Sequence, residues 1–463
     1  MRTTLNLRIT IMSRGIKKSL IALSVSGVLF APSAFATNGY FGHGYSTAEK
    51  GLAGAGVAHS QDAMSIANNP AGIAGMGERM DVGAALFSPK RTYTVTGGSS
   101  ATDGCQTAQG PCNFRIGPDS VDSNMELFLI PHFAFNWKLD SDSSAAVALY
   151  GNGGMNTNYK DGSATLATNP GGAPGSTHST LPGTFGAGTT GVDLKQLFVN
   201  VAYATKVNKD HSFGASIIFA YQTFEAKGLD NFAPFSTSPT NLSGNDADTS
   251  TGFGAKIGWQ GKVSPVVTLG ASYQSKMSMS EFDDYAGLFA EGGDFDIPAT
   301  ASLGLAWKTS DKSTLVIDVQ SIYYSDVASI SNTISQLTTA CNPGDQSGCL
   351  GAPAGAGFGW DDMTIVKVGY EWGEGTIWRV GLSNGGQPIP DSEVMFNILA
   401  PAVMETHITG GFTMPIGSGS EFSFAAMYAP SNSVSGPNPL DSQQVIEIEM
   451  DQIELQATYS MMF

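Results

Sequence analysis

The chain has 463 residues and a formal net charge of −17, with charged residues making up only 14% and hydrophobic residues 41% of it. This combination excludes an intrinsically disordered chain, because disorder requires low hydrophobicity and high charge. The acidic balance also excludes nucleic acid and anionic surfaces as partners, since both repel a negatively charged protein.

The amino terminus has the features of a secretion signal. Lys17 and Lys18 precede an apolar stretch at residues 20–30, and residues 34–36 (Ala-Phe-Ala) give a small-x-small cleavage site. The apolar stretch is too short to span a bilayer. We therefore expect residues 1–36 to be removed, with translation starting at Met1 or Met12.

From residue 79 onward, apolar and polar side chains alternate in one segment after another. In residues 126–140 the apolar side chains fall at odd positions, namely Leu127, Leu129, Phe133, Phe135 and Trp137. A period of two is typical of strands with one apolar and one polar face. The second face here is mostly Gly, Ala, Ser, Asn and Gln, which suits the crowded lumen of a barrel.

The connections between these segments alternate in length. Six short turns lie near residues 139–143, 208–211, 264–266, 309–313, 373–376 and 415–420, and seven long loops near residues 97–120, 159–191, 228–250, 285–294, 327–361, 386–405 and 429–444. This pattern predicts fourteen strands and is typical of outer-membrane barrels, whose closure removes the sheet edges that lipid cannot solvate. The predicted fold class is all-β, a 14-stranded antiparallel transmembrane β-barrel.

The carboxyl terminus agrees with a barrel. Tyr459, Met461 and Phe463 alternate up to the last residue, an ending that resembles the signal read by the outer-membrane barrel assembly machinery. Aromatic residues at predicted strand ends are expected to form an interfacial girdle: Trp137, Tyr203, Trp259, Tyr370 and Trp378. After the signal, no apolar run approaches 18 residues, so no transmembrane helix is expected.

Four cysteines form two close pairs in polar stretches that contain Gly and Pro, Cys105 with Cys112 and Cys341 with Cys349. Their spacing does not match that of zinc ligands. In an exported chain they predict two loop disulfides. No phosphate-binding loop or dinucleotide signature is present, and neither a metal nor a cofactor is expected.

One short pattern resembles a catalytic motif. Residues 381–385, GLSNG, match the Gly-x-Ser-x-Gly pattern with Ser383 at its centre. A nucleophile elbow needs a strand followed by a helix, whereas this pattern ends a predicted strand with no helix after it. The alternation also offers no histidine that pairs with Ser383. We therefore expect no catalytic residues and no enzymatic activity.

Residues 37–78 precede the first predicted strand and hold too few apolar side chains to form a domain. A fourteen-strand barrel is wider than its own side chains can fill. We therefore expect residues 37–78 to form a hatch inside the lumen of a barrel made by residues 79–463. Asn69, Pro70 and Ala71 predict a tight turn in which Asn69 bonds to the backbone and Pro70 fixes φ.

The stretch GLAGAGVAHSQDAMSIANNPAGI, residues 51–73, resembles the hatch of the FadL-type long-chain fatty acid and hydrocarbon transporters of Gram-negative outer membranes. That family includes toluene and xylene uptake channels. Residues 295–326, residues 378–390 and the terminal Phe463 support the resemblance. It implies a hatch-plugged barrel in the outer membrane that passively imports hydrophobic molecules and releases them sideways at a kink in the third strand.

The third predicted strand contains a glycine-rich stretch where such a kink could lie, at Gly151, Asn152, Gly153 and Gly154. The alternative is that a loop begins early. A sideways exit is favoured because moving a chain of roughly ten methylenes into water costs about 8 kcal/mol.

Two sets of residues are candidate ligand contacts. Phe282, Tyr285, Leu288 and Phe289 form an apolar patch in the fourth long loop, suited to first capture or simply packed on itself. By parity, Lys256, Lys276, Lys367 and Arg379 face the lumen, where each could meet a ligand carboxylate or pair with an acid such as Asp318 or Glu371.

The expected partners are a fatty acid, alkane or alkylbenzene, outer-membrane lipid and the assembly machinery, with the barrel as a monomer. The choice between an anionic and a neutral ligand stays open. Two other functions are compatible with the sequence: a general porin for polar solutes, or a structural or adhesive barrel that acts through its loops.

Overall fold

A computed structural model describes residues 37–97, 114–167 and 178–463. Fourteen antiparallel strands form the barrel: β1 Arg79–Gly97, β2 Phe128–Lys138, β3 Ser143–Asn156, β4 Gly191–Lys206, β5 His211–Phe224, β6 Asp248–Ser264, β7 Val267–Gln274, β8 Thr300–Ser310, β9 Ser313–Ile322, β10 Met363–Glu374, β11 Thr376–Gly385, β12 Thr406–Gly417, β13 Ser420–Asn438 and β14 Asp441–Met462. Each strand pairs with the next, and β14 pairs with β1, which closes the sheet. The predicted 14-stranded barrel is confirmed.

Shorter elements lie in the hatch and in the loops. The short strands are Thr37–Asn38, Phe41–Gly42, Phe114–Ile116, Ser120–Asp122, Ser163–Ala167, His178–Pro182, Ala226–Lys227 and Ser278–Met279. The helical turns are Thr47–Lys50, Ala63–Ala67, Pro70–Ile73, Asp230–Phe235, Pro239–Asn241, Asp283–Tyr285, Ala290–Gly293, Tyr324–Asp326, Ala328–Ser331, Ser335–Thr339, Asp391–Glu393 and Val394–Asn397. Across the described ranges, no helix has both the length and the apolarity needed to cross a membrane.

The strand alternation places apolar side chains on the outside of the barrel. Val201 and Leu303 are exposed, while their neighbours Asn200 and Ser302 face inward and are buried. Four of the predicted girdle aromatics, Trp137, Tyr203, Tyr370 and Trp378, are exposed as well. An apolar exterior around a polar interior is the reverse of a water-soluble barrel and fits a lipid environment.

The connection between β13 and β14 differs from the predicted long loop at residues 429–444. Only two residues separate Asn438 from Asp441, so both strands continue beyond the part of the barrel that has an apolar exterior. Ile446 and Ile448 face inward and are buried, whereas Glu449 is exposed. Residues 431–438 alternate mostly among polar and small side chains, so they show no apolar face by which a strand could be recognised.

The segment at residues 37–73 lies inside the barrel, with nearly all of its side chains buried. Inward glycines on six strands allow the hatch backbone to pack directly against the wall; they are Gly214, Gly258, Gly270, Gly304, Gly369 and Gly381. A Cβ atom on Gly270 would lie 2.3 Å from the carbonyl oxygen of Val57. The small residues on the inner face are therefore a contact surface for the hatch.

The Asn69–Pro70–Ala71 turn fixes the hatch to the wall. The Asn69 Oδ1 atom accepts a hydrogen bond from the Ala71 N–H at 3.0 Å and caps the helical turn Pro70–Ile73. Its Nδ2 atom donates to the carbonyl oxygens of Val57 at 2.7 Å and Trp259 at 3.0 Å. One side chain thus joins two parts of the hatch to strand β6.

Two barrel carboxylates hold the hatch by its backbone. The Asp318 Oδ2 atom on β9 accepts from the N–H groups of Gly56 at 2.7 Å and Val57 at 2.9 Å. The Asp81 Oδ2 atom on β1 accepts from the Ala63 N–H at 2.8 Å, at the start of a helical turn. Bonds to an ionised acceptor are stronger than neutral ones, so these contacts anchor the body of the hatch.

Deleting residues 37–78 tests whether the hatch closes the lumen. We expect a large rise in single-channel conductance in planar bilayers, because a fourteen-strand barrel without a plug encloses an aqueous lumen. Circular dichroism and heat-modifiable gel migration confirm that the deleted variant still forms a barrel. An unchanged conductance would contradict the plug and support a general porin.

Replacing Asp318 tests the anchoring of the hatch body. Asp318→Ala removes two charge-assisted hydrogen bonds, each worth about 1.5–3 kcal/mol. We expect more frequent channel openings and faster proteolysis within residues 51–61, with Asp318→Asn intermediate because it keeps an oxygen acceptor. Asp311→Ala, which removes an exposed acid in the next turn, is the matched control. Equal behaviour of the two alanine variants would show that Asp318 is not an anchor.

Candidate functional site

The ladder between β2 and β3 is interrupted, which leaves a window in the barrel wall. Pairing of the two strands stops at Phe133 with Leu149. Farther toward the long-loop end, a bond from the Asn124 N–H to the Asn158 carbonyl at 2.9 Å joins the two chain segments again. Between these points the described residues show no pairing of β2 with β3, while β2 stays paired with β1 and β3 with β4.

The glycine-rich stretch of β3 lies along this window. Gly153 pairs with Gln196 and Gly151 with Leu197 of β4, so Asn152 is an extra residue and forms a β-bulge. The Asn152 side chain accepts from the Tyr45 hydroxyl at 2.8 Å and donates to the Gln196 Oε1 atom at 3.0 Å. The bulge interrupts the regular ladder between β3 and β4 next to the window.

The first residues of the hatch cover the window from inside. The hairpin formed by Thr37–Asn38 and Phe41–Gly42 pairs with β3 through Phe41 and Gly153. The Gly154 N–H donates to the Tyr40 carbonyl oxygen at 3.1 Å. A Cβ atom on Gly153 would lie 1.9 Å from that oxygen, so only glycine permits this approach. We call residues 37–42 the hatch hairpin.

A cavity with about 30 Å³ of free space lies behind the window, and we call it the inner cavity. It is lined by Thr37, Gly39, Phe87, Pro89, Arg91, Gly154, Met155, Asn156, Trp360, Ala400, Pro401, Ala402, Met450 and Gln452. The lining combines apolar surface with a few polar groups, which is the usual composition of a small-molecule site.

A second cavity with about 30 Å³ of free space, the outer cavity, lies among the long loops. Its lining is almost wholly apolar: Val192, Phe224, Leu229, Phe232, Leu288, Phe289, Ser329, Leu350, Ala356, Gly357, Phe358, Phe396 and Leu399. Of the predicted capture residues, Leu288 and Phe289 line this cavity. Phe282 and Tyr285 are buried and pack against Phe224, with ring centroids 5.7 and 4.9 Å apart.

A thin partition separates the two cavities. Phe358 lines the outer cavity and Trp360 the inner one, and their ring centroids are 6.0 Å apart. Leu399 and Ala400, adjacent in sequence, likewise face opposite cavities. The Trp360 Nε1–H donates to the Asn397 Oδ1 atom at 2.6 Å, which fixes the indole in place. These few side chains thus lie between the two cavities.

Three of the four predicted lumen cations contact the hatch. The Lys256 ammonium donates to the Ala67 carbonyl oxygen, and Lys367 donates to the His43 carbonyl oxygen at 3.0 Å. The Arg379 Nε atom lies 3.2 Å from the Glu371 carboxylate, as the sequence allowed, and Arg379 also donates to Gln61 of the hatch. All three side chains are buried and hold the plug in place.

Lys276 does not face the lumen as parity predicts. Strand β7 ends at Gln274, so the alternation no longer sets the direction of Lys276, whose side chain is 40% exposed. Its ammonium forms an ion pair of 2.8 Å with Asp296 in the loop. Burial and the neighbouring Asp296 raise the pKa of Asp294 to about 7 in the same loop. Lys276 therefore belongs to a loop charge cluster.

The two predicted disulfides have different outcomes. Cys341 and Cys349 form a disulfide, while Cys105 and Cys112 lie outside the described residues. In the part of the chain that the structure covers, no group of three or more His, Cys, Asp and Glu side chains could hold a metal ion.

Ser383 does have a histidine partner, contrary to the prediction. His407 lies directly opposite on β12, with its Nδ1 atom 3.1 Å from the Ser383 Oγ atom. The imidazole of His43 in the hatch stacks on His407 with ring centroids 5.5 Å apart. Both members of the pair are buried on a regular strand pair without an elbow, so their arrangement fits hatch packing rather than nucleophilic catalysis.

Arg91 is a residue that the sequence reasoning missed. It lies on β1 in the inner cavity, and its guanidinium is 5.7 Å from the ring centroid of Phe128. The sequence did contain a signal for Arg91. Its position is odd-numbered, like those of Phe87 and Tyr93 on the same strand, whose side chains are buried. Parity therefore places Arg91 inside the barrel.

Comparisons with known proteins agree with this architecture. A family profile described as outer membrane protein transport protein (OMPP1/FadL/TodX) matches residues 27–383. No curated protein sequence matches the chain.

Solved structures resemble the fold at low sequence identity. The Pseudomonas putida toluene transporter TodX is 15% identical with a TM-score of 0.58, over 91% of this chain and 99% of that one. The Ralstonia pickettii toluene transporter TbuX is 16% identical with a TM-score of 0.58, over 91% and 99%. A Pseudomonas aeruginosa FadL homologue is 14% identical with a TM-score of 0.61, over 92% and 100%.

The profile covers most of the chain, and the structural similarity extends over nearly all of it. The apolar exterior, the closed sheet and the plugged lumen are those of an outer-membrane channel. The chain belongs to the OMPP1/FadL/TodX family of outer-membrane transport proteins.

Proposed function

We propose that this protein passively imports hydrophobic small molecules across the outer membrane, from the outer cavity to the inner cavity and then sideways through the window into the membrane. The single observation that carries this proposal is the interrupted ladder between β2 and β3 beside a cavity. A complete ladder between β2 and β3 would leave no gap in the barrel wall beside the inner cavity.

The outer cavity supports a role in capture. Its aromatic and aliphatic lining removes apolar ligand surface from water, which is favourable by about 25 cal/mol per Å². Because only the partition around Phe358 and Trp360 lies between the cavities, a ligand can reach the inner cavity without crossing bulk water.

The surroundings of the window support a sideways exit. The outer face of β2 carries exposed Leu129, and Val147 and Leu149 of β3 pack beside Phe133 on the same face. A hydrophobic ligand that leaves through the window enters lipid, so it keeps the favourable free energy of transfer out of water. A continuous aqueous pore would require the ligand to give up that free energy midway.

The hatch hairpin has to move for the ligand to leave, and its contacts suit such a movement. It meets β3 through main-chain pairing at Gly153 and Gly154, and a neutral hydrogen bond contributes about 0.5–1.5 kcal/mol net. Such contacts can break thermally, so the proposed transport needs no coupled energy source. The closed barrel also supports action as a monomer.

Toluene transporters and a FadL homologue share this fold. Because their sequences are only 14–16% identical to this chain, they indicate its fold but not its ligand. The proposed cargo is therefore defined by the cavities as a hydrophobic small molecule.

Deleting Asn152 tests the window. Without the extra residue, β3 can continue in regular register, and its ladder with β2 can extend across the gap. We expect uptake of radiolabelled toluene and dodecanoate by cells that lack other hydrophobic transporters to fall to the level of cells without this protein. Deleting Val263, the extra residue of a bulge at the short turn after β6, is the matched control and should leave uptake unchanged.

Heat-modifiable migration establishes that both deletion variants fold as barrels. Normal uptake by the folded Asn152-deletion variant would rule out the window as the exit. Equal loss of uptake in the two variants would show that bulges matter for folding and not for the route.

A further inference from the structure

A wide groove lies on the outer surface of the barrel, at the end that carries the short turns. It extends across strands β8 to β11 and contains about 780 Å³ of free space, within the ~300–1,000 Å³ typical of small-molecule sites. Its main lining residues are Lys312, Ser313, Tyr370, Trp372, Glu374 and Val380. Because the long loops of an outer-membrane barrel are extracellular, the groove faces the periplasmic leaflet of the membrane.

One wall of the groove is aromatic. Tyr370 and Trp372 are exposed on the outer face of β10, and their rings stack with centroids 5.8 Å apart. In the ladder, Trp372 lies opposite Ser313 of β9 and opposite the exposed Trp378 of β11. Tyr and Trp side chains favour the boundary between hydrocarbon and headgroups, so this wall lies at the depth of the lipid headgroups.

The other wall is polar and carries both signs of charge. The Lys312 ammonium forms an ion pair with the Glu374 carboxylate, and the two side chains are 63% and 75% exposed. An ion pair as exposed as this contributes little to stability, so both groups can exchange partners easily. The Ser310 and Ser313 hydroxyl oxygens, 2.7 Å apart, add hydrogen-bonding groups beside Lys312.

A phosphoethanolamine headgroup carries charges that complement this arrangement. Its phosphate accepts from the Lys312 ammonium, and its ammonium fits between the Glu374 carboxylate and the face of Trp372, since ammonium groups bind carboxylates and aromatic rings. The glycerol and the first methylenes then lie against Tyr370 and Val380. A purely anionic headgroup has no ammonium for Glu374 and is repelled by it.

We propose that this groove binds a zwitterionic phospholipid of the phosphoethanolamine class in the periplasmic leaflet, with Lys312 on the phosphate and Glu374 on the ammonium. The β9–β10 pair is seven strands from the β2–β3 pair in either direction around the fourteen-strand barrel. The bound lipid would therefore hold the wall opposite the window. The site lies outside the lumen, so it does not depend on the proposed import function.

The test measures which phospholipids remain bound to the purified full-length protein. Native mass spectrometry follows incubation, in a neutral detergent, with equal amounts of phosphatidylethanolamine and phosphatidylglycerol that have the same acyl chains. The variants are Lys312→Met and Glu374→Gln. Their matched controls, Lys209→Met and Asp210→Asn, remove the same charges from an exposed pair, 3.8 Å apart, at another short turn outside the groove.

We expect wild type to retain more phosphatidylethanolamine than phosphatidylglycerol, because only the former pairs with both charges. Glu374→Gln should bind phosphatidylethanolamine about two- to fivefold more weakly, the effect of losing an exposed ion pair, and should lose the preference. Lys312→Met should weaken the binding of both lipids, since both carry a phosphate. The two controls should match wild type, and heat-modifiable migration establishes that every variant is folded.

Three outcomes would overturn the inference. Wild type could retain the two lipids equally or retain neither. Glu374→Gln and Asp210→Asn could change lipid binding equally, which would attribute the binding to general surface charge. Soluble phosphoethanolamine without acyl chains could displace the lipid, which would assign the groove to a free phosphate ester. None of these results bears on import, which is measured separately by the uptake of hydrophobic molecules.

Discussion

The structure depends on the requirement that backbone N–H and C=O groups facing lipid be hydrogen-bonded. Thirteen successive strand pairings and the β14–β1 closure meet this requirement around the barrel, and the β2–β3 ladder is interrupted at the window. There, Pro131 offers no N–H, and Gly154 donates to the carbonyl oxygen of Tyr40 in the hatch hairpin. The wall can be open because the hatch supplies part of the missing pairing, so the plug and the gap form one structural unit.

The body of the hatch and the hatch hairpin are both buried, but different kinds of hydrogen bond hold them to the barrel. Asp81, Asp318 and Lys367 form charge-assisted bonds to the body, residues 43–67. The hatch hairpin, in contrast, relies on neutral bonds, such as that from the Tyr324 hydroxyl to the Asn38 carbonyl at 2.7 Å. In the proposed transport, the body of the hatch stays in place and closes the lumen, and the hatch hairpin is the part that moves.

The sequence predicted the barrel because period-two alternation survives wherever one face meets lipid. It failed at residues 429–444, where the strands leave the lipid and alternation no longer contrasts apolar with polar side chains. Parity placed Lys256, Lys367 and Arg379 inside but could not show that the hatch occupies them, because those contacts join residues about 190 to 324 positions apart. Ser383 and His407 are only 24 positions apart, but their pairing depends on the register of two neighbouring strands, which alternation alone does not fix. The cavity around Arg91 likewise emerged only from the three-dimensional arrangement.

The partition between the two cavities has a consequence for the permeability of the cell envelope. A molecule on the proposed route meets two barriers in series, the side chains around Trp360 and then the hatch hairpin. If each opens independently for about 0.1–10% of the time, both are open together far more rarely, since the probabilities multiply. Such a double barrier would let a small hydrophobic molecule advance one cavity at a time. A bulky toxic compound that needs both cavities at once would be held outside.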